Sequence, residues 1–187
     1  HIAVVDGSGN AVSMTTTIEG FFGSKQMVRG FLLNNELTDF SFVPRDAQGR
    51  LVANRVQPNK RPRSSMSPTL VLRPAAPALP APVHISLGSP GGAAIIHYTT
   101  QALWGLLHMG LNPQQAFDLP HLALFSPQGP LWLETGRFEQ ATQAALTQRG
   151  HPLRQTDLTS GLHGLQRVGG GWLGGADARR EGAVRGD

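Results

Sequence analysis

Two carboxylates three residues apart mark the first place in this sequence where chemistry could occur. The segment Leu-Asn-Asn-Glu-Leu-Thr-Asp-Phe-Ser carries Glu36 and Asp39, and this spacing puts both side chains on one face of a helical turn. Such a pair could hold an ammonium group. The same segment also fits an ordinary turn followed by a capped helical start, because Asn and Asp favour such positions.

Adjacent hydroxyls form a second candidate site. Ser64 and Ser65 follow the basic stretch Asn-Lys-Arg-Pro-Arg and precede Met-Ser-Pro. Both hydroxyls could donate hydrogen bonds to a substrate carboxylate. Serine is also a common turn residue where a loop enters a strand, so this pair alone does not define a site.

A glycine-rich turn, Gly-Ser-Pro-Gly-Gly at 88–92, joins an apolar run to a second, longer apolar run. We interpret this pattern as a strand that leads into the N-terminus of a helix, where backbone N–H groups lack intrahelical partners. These groups could hold a phosphate or a developing oxyanion. Neither a Lys-Ser/Thr pair nor a Gly-x-Gly-x-x-Gly pattern follows, so the turn is no standard nucleotide-binding motif.

Composition excludes several other functions. The net charge is only +4 despite a sequence pI near 10.6, and the basic residues are mostly scattered Arg without interleaved aromatic residues, so we expect no nucleic-acid partner. The chain has no Cys, which excludes disulfides and Cys-ligated metals. The seven His form no ligand set, so we expect no metal ion or other cofactor, and no apolar run reaches membrane-spanning length.

The elements that must position these residues can be traced along the chain. The pattern predicts a hairpin of strands 1–6 and 11–18, one helical turn within 37–42, an exposed loop over 45–63 and an extended connector over 74–82. Later it predicts strands 69–73, 83–87, 131–134, 162–168 and 172–184, and helices 93–109, 112–118 and 138–149. In the second of these helices Asn112 is the expected N-cap and Pro113 the first helical residue. Without regular strand–helix alternation, this order predicts one α+β layered domain over 1–187.

The motifs together are far more specific than any one of them. Val-Val-Asp, Gly-Asn-Ala-Val-Ser, Thr-Thr-Thr, Leu-Leu-Asn-Asn-Glu, Asp-Phe-Ser, the two serines and Gly88–Gly92 follow one another from the N-terminus. In this order the chain resembles the small subunit of γ-glutamyltranspeptidase, a member of the N-terminal nucleophile hydrolase superfamily. The resemblance implies a layered αββα sandwich that is completed by a large subunit cut from the same precursor.

The resemblance also implies roles for individual residues. Thr17 would orient the nucleophile, and Gly91 and Gly92 would form an oxyanion hole through their backbone N–H groups. The substrate's ammonium would be held by three carboxylates and its carboxylate by the two serines: Glu19, Glu36, Asp39; Ser64, Ser65. An Arg of the large subunit would complete the carboxylate site. Because three carboxylates around one ammonium carry excess negative charge, we expect at least one raised pKa.

His1 matches the His of the family's Thr-Thr-His start, so the nucleophilic Thr would stand two positions before it, outside this chain. Its α-amine, freed by autocatalytic cleavage, would act as the base. The implied activity is that of a γ-glutamyltransferase or glutathione hydrolase. A small γ-glutamyl compound is the donor, and an amino acid, a peptide or water is the acceptor. The family also implies an exported, periplasmic or secreted protein that does not itself bind a membrane.

Departures from the family pattern leave alternatives open. The loop 42–57, which forms a lid in some relatives, contains no Tyr or Trp here, and 119–123 follows the pattern only loosely. A related acylase or transpeptidase would share Thr17 and the glycine pair but should relax the ammonium-binding set. A non-catalytic relative without the nucleophile is the alternative from another class. A phosphate binder built on 88–92 would lack any companion motif.

Overall fold

A computed structural model describes residues 1–74 and 81–186, so most of the predicted connector over 74–82 lies outside the described residues. Two 3₁₀ turns, Glu36–Asp39 and Gly92–Ala94, accompany the regular elements. In chain order these elements are β1 (Ile2–Val5), β2 (Ala11–Met14), β3 (Met27–Val28), β4 (Phe31–Leu32), β5 (Thr69–Leu72), β6 (Val83–Gly88), α1 (Ile95–His108), α2 (Pro113–Phe117), β7 (Leu122–Ala123), β8 (Leu131–Glu134), α3 (Gln140–Gln148), β9 (Leu153–Thr156), β10 (His163–Val168) and β11 (Gly171–Ala176).

The chain divides into two compact units. The larger consists of His1–Thr15 and Ser65–Asp187, and the smaller of Thr16–Ser64. That 1–187 acts as a single domain stays a prediction.

An antiparallel sheet in the order β11-β10-β6-β5 forms the centre of the larger unit. β6 is almost wholly buried, and its Ile85 and Leu87 pack with Tyr98 of α1, Phe117 of α2 and Leu162. The helix predicted over 93–109 is present as α1, and a 3₁₀ turn occupies its predicted first residues. The apolar runs therefore form the core that the composition allows, and they fix the strand-to-helix turn between β6 and α1.

The N-terminal hairpin is shorter than the sequence predicts. β2 ends at Met14, which pairs with Ile2, so a strand over 11–18 was wrong in its second half. Beyond β2, the Thr15 hydroxyl lies 2.8 Å from Nδ1 of the His1 ring. Further along, Glu19 adopts a φ of 70°, a left-handed value that ends any extended run. Thr17 consequently lies in irregular backbone.

The sequence analysis did not predict one parallel crossover connection of the fold. β8 pairs with β9 in parallel, and α3 connects them, so the chain contains a strand–helix–strand unit. The capping predicted at Asn112 is confirmed, because its side chain accepts from the N–H of Gln115, whose own side chain accepts from the N–H of Asn112. The strand predicted over 172–184 ends at Ala176, because the buried Asp177 follows it and a turn occupies 178–179.

The smaller unit has little regular structure. It contains the two-stranded β3–β4 ladder and the 3₁₀ turn Glu36–Asp39, which supplies the helical turn expected near this segment. The loop 45–63 is held locally: Asp46 accepts hydrogen bonds from the backbone of Gln48 and Arg50 and pairs with the Arg50 side chain at 2.8 Å. These contacts fold the middle of the loop into a tight turn.

Candidate active site

The three predicted carboxylates, Glu19, Glu36 and Asp39, lie close together in the smaller unit. Burial first, and then the charges of Asp39 and Glu19, raise the pKa of Glu36. The expected rise of at least one pKa is thus present at Glu36, where burial is its largest cause and the clustered charges add to it. One carboxylate oxygen of Glu36, Oε1, is buried and has no hydrogen-bond partner among the described residues. A buried carboxylate oxygen that accepts no hydrogen bond is unfavourable, so this cluster is suited to bind a positively charged group that can donate a hydrogen bond.

Thr17 and Glu19 are linked to each other by the backbone. The hydroxyl of Thr17 accepts a hydrogen bond from the N–H of Glu19 at 2.8 Å. Both residues are exposed. Since a hydroxyl can accept and donate at once, the proton of the Thr17 hydroxyl stays available for a further partner.

Asn54 brings the two predicted substrate-binding segments of the smaller unit together. Its side-chain amide donates to the carbonyl of Asp39 at 2.6 Å, and its side-chain oxygen accepts from the N–H of Arg63 at 3.0 Å. Arg63 directly precedes the exposed Ser64, so one amide joins the acidic turn to the serine segment. Ser65, half-buried, begins the second segment of the larger unit. The sequence analysis missed Asn54, because nothing in its local pattern marks a long-range contact.

The glycine pair lies in the larger unit, at the turn between β6 and α1. Gly91 and Gly92 have φ values of 140° and 58°, which L side chains rarely adopt. A Cβ built at Gly91 would also lie 2.5 Å from the ring of Tyr98. The turn therefore requires glycine. It leads into a 3₁₀ turn and then a 14-residue helix, whose first N–H groups lack intrahelical partners.

His1 is held tightly at the start of β1. Its Nδ1 lies 2.8 Å from the Thr15 hydroxyl, and its Nε2 lies 3.5 Å from the Ser13 hydroxyl. The ring rests on Gly88, where an added Cβ would come closer than 3.0 Å to three ring atoms. Ser13 also donates to the carbonyl of Leu87 at 3.1 Å. The hairpin is thus fixed against the strand that leads to the glycine pair.

A buried polar network, which sequence reasoning missed, anchors the turn after β11. The carboxylate of Asp177 accepts from the hydroxyl of Ser160 and from the N–H and guanidinium of Arg179. Arg179 also pairs with Glu134 at 2.6 Å, and the Nε2 of His121 lies 2.6 Å from the Ser160 hydroxyl. Burial opposes ionisation of Asp177, but its contacts with His121, Ser160 and Arg179 hold its pKa well below the usual range.

Two histidines of α1 make ordinary local contacts. His97 Nε2 lies 3.1 Å from the N–H of Leu124, and His108 stacks on Trp104 with ring centroids 4.3 Å apart. Within residues 1–74 and 81–186, no group of three or more potential ligands could hold a metal ion. Among the same residues, every helix is too short or too polar to cross a membrane.

The fold defines the class of protein. The arrangement of antiparallel sheet and helices is an α+β fold of the N-terminal nucleophile hydrolase type, as the sequence analysis predicts. The family model described as Gamma-glutamyltranspeptidase matches residues 1–186, and the chain belongs to that family.

Individual relatives agree with this assignment. The chain is 44% identical over 124 residues to the glutathione hydrolase proenzyme of Bacillus subtilis, an alignment that covers 65% of this chain and 19% of that protein. The matched segment thus spans about a fifth of that relative's length. It is 33% identical over 129 residues to the putative inactive glutathione hydrolase 4 of Arabidopsis thaliana, covering 65% of this chain and 64% of that one.

A solved structure gives the same result over nearly the whole chain. A mutant of Helicobacter pylori gamma-glutamyltranspeptidase superposes with a TM-score of 0.85 at 32% sequence identity. The superposition covers 96% of this chain and 99% of that one. The similarity therefore extends over almost all of this chain.

Proposed function

We propose that this chain is the small subunit of an enzyme that transfers or hydrolyses the γ-glutamyl group of glutathione-like compounds. Its partner is a large subunit from the same precursor. The observation that carries the proposal is the acidic cluster. Glu36, beside Glu19 and Asp39, has a raised pKa and a buried oxygen that finds no hydrogen-bond partner in the part of the chain that the structure describes. Family membership supports the reaction type, and the cluster supports the substrate class.

The nucleophile in this proposal is a Thr that stands two positions before His1. Its hydroxyl attacks the γ-carbonyl carbon of the donor, and its own α-amine takes the proton. The α-ammonium returns this proton to the nitrogen of the donor's amine as the C–N bond breaks, and a γ-glutamyl-enzyme remains until water or an acceptor amine attacks it. The Thr17 hydroxyl accepts from the N–H of Glu19, so its own proton is available to donate to the nucleophile and orient it.

Stabilisation of the tetrahedral oxyanion falls to Gly91 and Gly92. Both glycines have φ values that L side chains rarely adopt, and the Tyr98 ring leaves no room for a Cβ at Gly91. The turn therefore carries no side chains, and a substrate oxygen can approach its N–H groups. One such donor contributes about 3 kcal/mol in the transition state.

The donor's α-ammonium binds among Glu19, Glu36 and Asp39. Because burial and the two neighbouring charges disfavour the ionised form of Glu36, an ammonium that offsets them also favours ionisation, and donor binding depends on pH. Ser64 and Ser65, with an Arg of the large subunit, hold the α-carboxylate.

The test is the release of a chromogenic amine from a γ-glutamyl anilide by the processed full-length precursor. We expect Asp39→Ala to abolish turnover while the thermal melt stays close to that of the parent protein. The control is Asp157→Ala, because Asp157 is exposed and has no predicted role. Near-normal turnover of the Asp39 variant would exclude the proposed ammonium site.

The two serines predict a different kinetic signature. Replacing both Ser64 and Ser65 by Ala removes two hydrogen bonds to a charged group, at a cost of roughly 3–6 kcal/mol in total. We expect KM for the donor to rise far more than kcat falls. An unchanged KM would count against the carboxylate site.

A non-catalytic relative is the second candidate, favoured by the similarity to the putative inactive Arabidopsis protein. An intact mass of the processed small subunit distinguishes the two functions. An active enzyme must give a subunit that begins with the nucleophilic Thr ahead of His1, together with a large subunit released by self-cleavage. A precursor that stays uncut would favour the binding protein.

An acylase of the same fold fits the acidic cluster less well. Its substrate need not carry an α-ammonium, whereas this chain keeps all three carboxylates that would hold one.

We further propose a periplasmic or secreted location, which follows from family resemblance and which cell fractionation would test.

A further inference from the structure

We propose that Asn35 is a positioning residue that aims the Glu19 carboxylate at the substrate's ammonium group. The inference rests on the proposed function and adds a determinant of donor binding to the same site. Its basis is a set of hydrogen bonds around one side chain in the smaller unit.

Glu19 needs external support, because its backbone conformation is unfavourable. Its φ of 70° lies in the left-handed region, which residues other than glycine rarely occupy and which persists when surrounding structure holds it. Glu19 is also exposed. An exposed carboxylate on a long side chain samples many rotamers, so its direction has to be fixed by a partner.

Asn35 supplies that support from both ends of its amide. Its Nδ2 donates to Oε2 of Glu19, and its Oδ1 accepts from the N–H of Gly20 at 2.9 Å. The first bond orients the carboxylate, and the second holds the backbone immediately after the left-handed residue. A hydrogen bond to a charged acceptor is stronger than one between neutral groups.

The backbone of Asn35 is fixed as well. Its N–H donates to the carbonyl of Ile18 at 3.2 Å, and its carbonyl accepts from the N–H of Thr38 at 3.0 Å and from the Thr38 hydroxyl at 2.8 Å. Asn35 directly precedes the 3₁₀ turn that carries Glu36 and Asp39. It joins the strained Glu19 segment to that turn, and so sets the direction of one carboxylate relative to the other two.

The side chain's chemistry makes the inference testable with an isosteric change. Asn35→Asp keeps the acceptor for Gly20 but replaces the donor to Glu19 with an oxygen. When both carboxylates are ionised they repel each other. When the pH falls and the new carboxyl group takes up a proton, it can donate to Glu19 again.

The experiment measures kcat and KM for a γ-glutamyl anilide across a pH series with the processed full-length enzyme. For Asn35→Asp we expect KM to rise by about tenfold or more at alkaline pH, with kcat changed by less than about threefold. The ratio of mutant to parent KM should shrink as the pH is lowered. For Asn35→Ala, KM should also rise, but its ratio to the parent value should not depend on pH.

Two further variants separate positioning from a structural role. In a Glu19→Gln background, Asn35→Asp should add little to KM, because there is no charged carboxylate to misdirect. Asn10→Asp is the matched control. Asn10 donates to the Asp6 carboxylate at 2.8 Å in the exposed β1–β2 turn, so its loss removes the same kind of bond and should leave the kinetics unchanged.

An unchanged KM in both Asn35 variants, with an active parent enzyme, would overturn the inference and leave the proposed function intact. So would a pH-independent loss of both kcat and melting temperature, which indicates a structural role. If Asn35→Asp does not fold, the KM and kcat of Asn35→Ala decide the question. A correctly processed parent enzyme that does not act on γ-glutamyl compounds would refute the proposed function and this inference with it.

Discussion

Replacing Asp177 by Asn tests whether the buried network after β11 stabilises the larger unit. The substitution keeps the shape of the side chain but removes its charge and turns one acceptor into a donor. The side chain is fully buried. Its two oxygens accept from Ser160, from the N–H of Leu162 at 3.4 Å and from Arg179. Either orientation of the new amide places an NH₂ group against an existing donor.

The expected loss of unfolding free energy depends on which ion-pair contacts Arg179 retains in the variant. Breaking a buried ion pair by removing one partner costs about 3–5 kcal/mol. Arg179 retains two contacts with Glu134, at 2.6 and 2.8 Å, so its charge stays compensated and we expect the lower end, about 3 kcal/mol. For a chain of this length that corresponds to a fall in melting temperature of roughly 6–12 °C.

The assay is thermal unfolding at neutral pH, with Asp157→Asn as the matched control. Asp157 is an exposed Asp, and loss of its charge should change the free energy of unfolding by less than about 0.5 kcal/mol. If the two variants melt at the same temperature, the network does not stabilise the fold and the reasoning is wrong.

The same network predicts a dependence on pH. The pKa of Asp177 is lower in the folded protein than in the unfolded chain, so its contribution to stability is present above the ordinary Asp pKa of about 3.9. That contribution is lost as the pH falls below this value and protons bind the unfolded chain preferentially. The difference between parent and Asp177→Asn should therefore shrink in acid, and a difference that grows would contradict the sign.

Two further predictions concern the site. Gly88→Ala should displace the ring of His1, break its bond to Thr15 and cost about 1 kcal/mol of unfolding free energy. Gly7→Ala is the control, because no described residue beyond its two chain neighbours lies within 4 Å of a Cβ added there, and equal melting temperatures of the two variants would refute the contact. Glu19→Gln removes one of the charges that raise the pKa of Glu36, so the acid limb of kcat/KM should move to lower pH; an unmoved limb would show that Glu36 does not control donor binding.

Local sequence signals predicted much of the larger unit. Asn112 and the proline after it gave a capped helix start, and the apolar run after Gly92 gave the long helix α1, because the physics of both lies within a few residues. Strand ends were less predictable. β2 ends at Met14 rather than at 18, and the left-handed backbone of Glu19, with a φ of 70°, breaks the extended run that the apolar and Thr-rich pattern predicts.

For the candidate site, the sequence determined which residues to examine, and the tertiary structure decided how they interact. Residue types and order alone were enough to place the chain in its family and to pick out the three carboxylates. Only the folded chain shows that burial, and then the charges of Asp39 and Glu19, raise the pKa of Glu36. It alone shows as well that Asn35 holds the Glu19 carboxylate.

The Asp177 network was likewise beyond the sequence, since its members are spread from position 121 to position 179. Charge–charge energies depend on distance and burial, and both are set by long-range packing that no local pattern encodes.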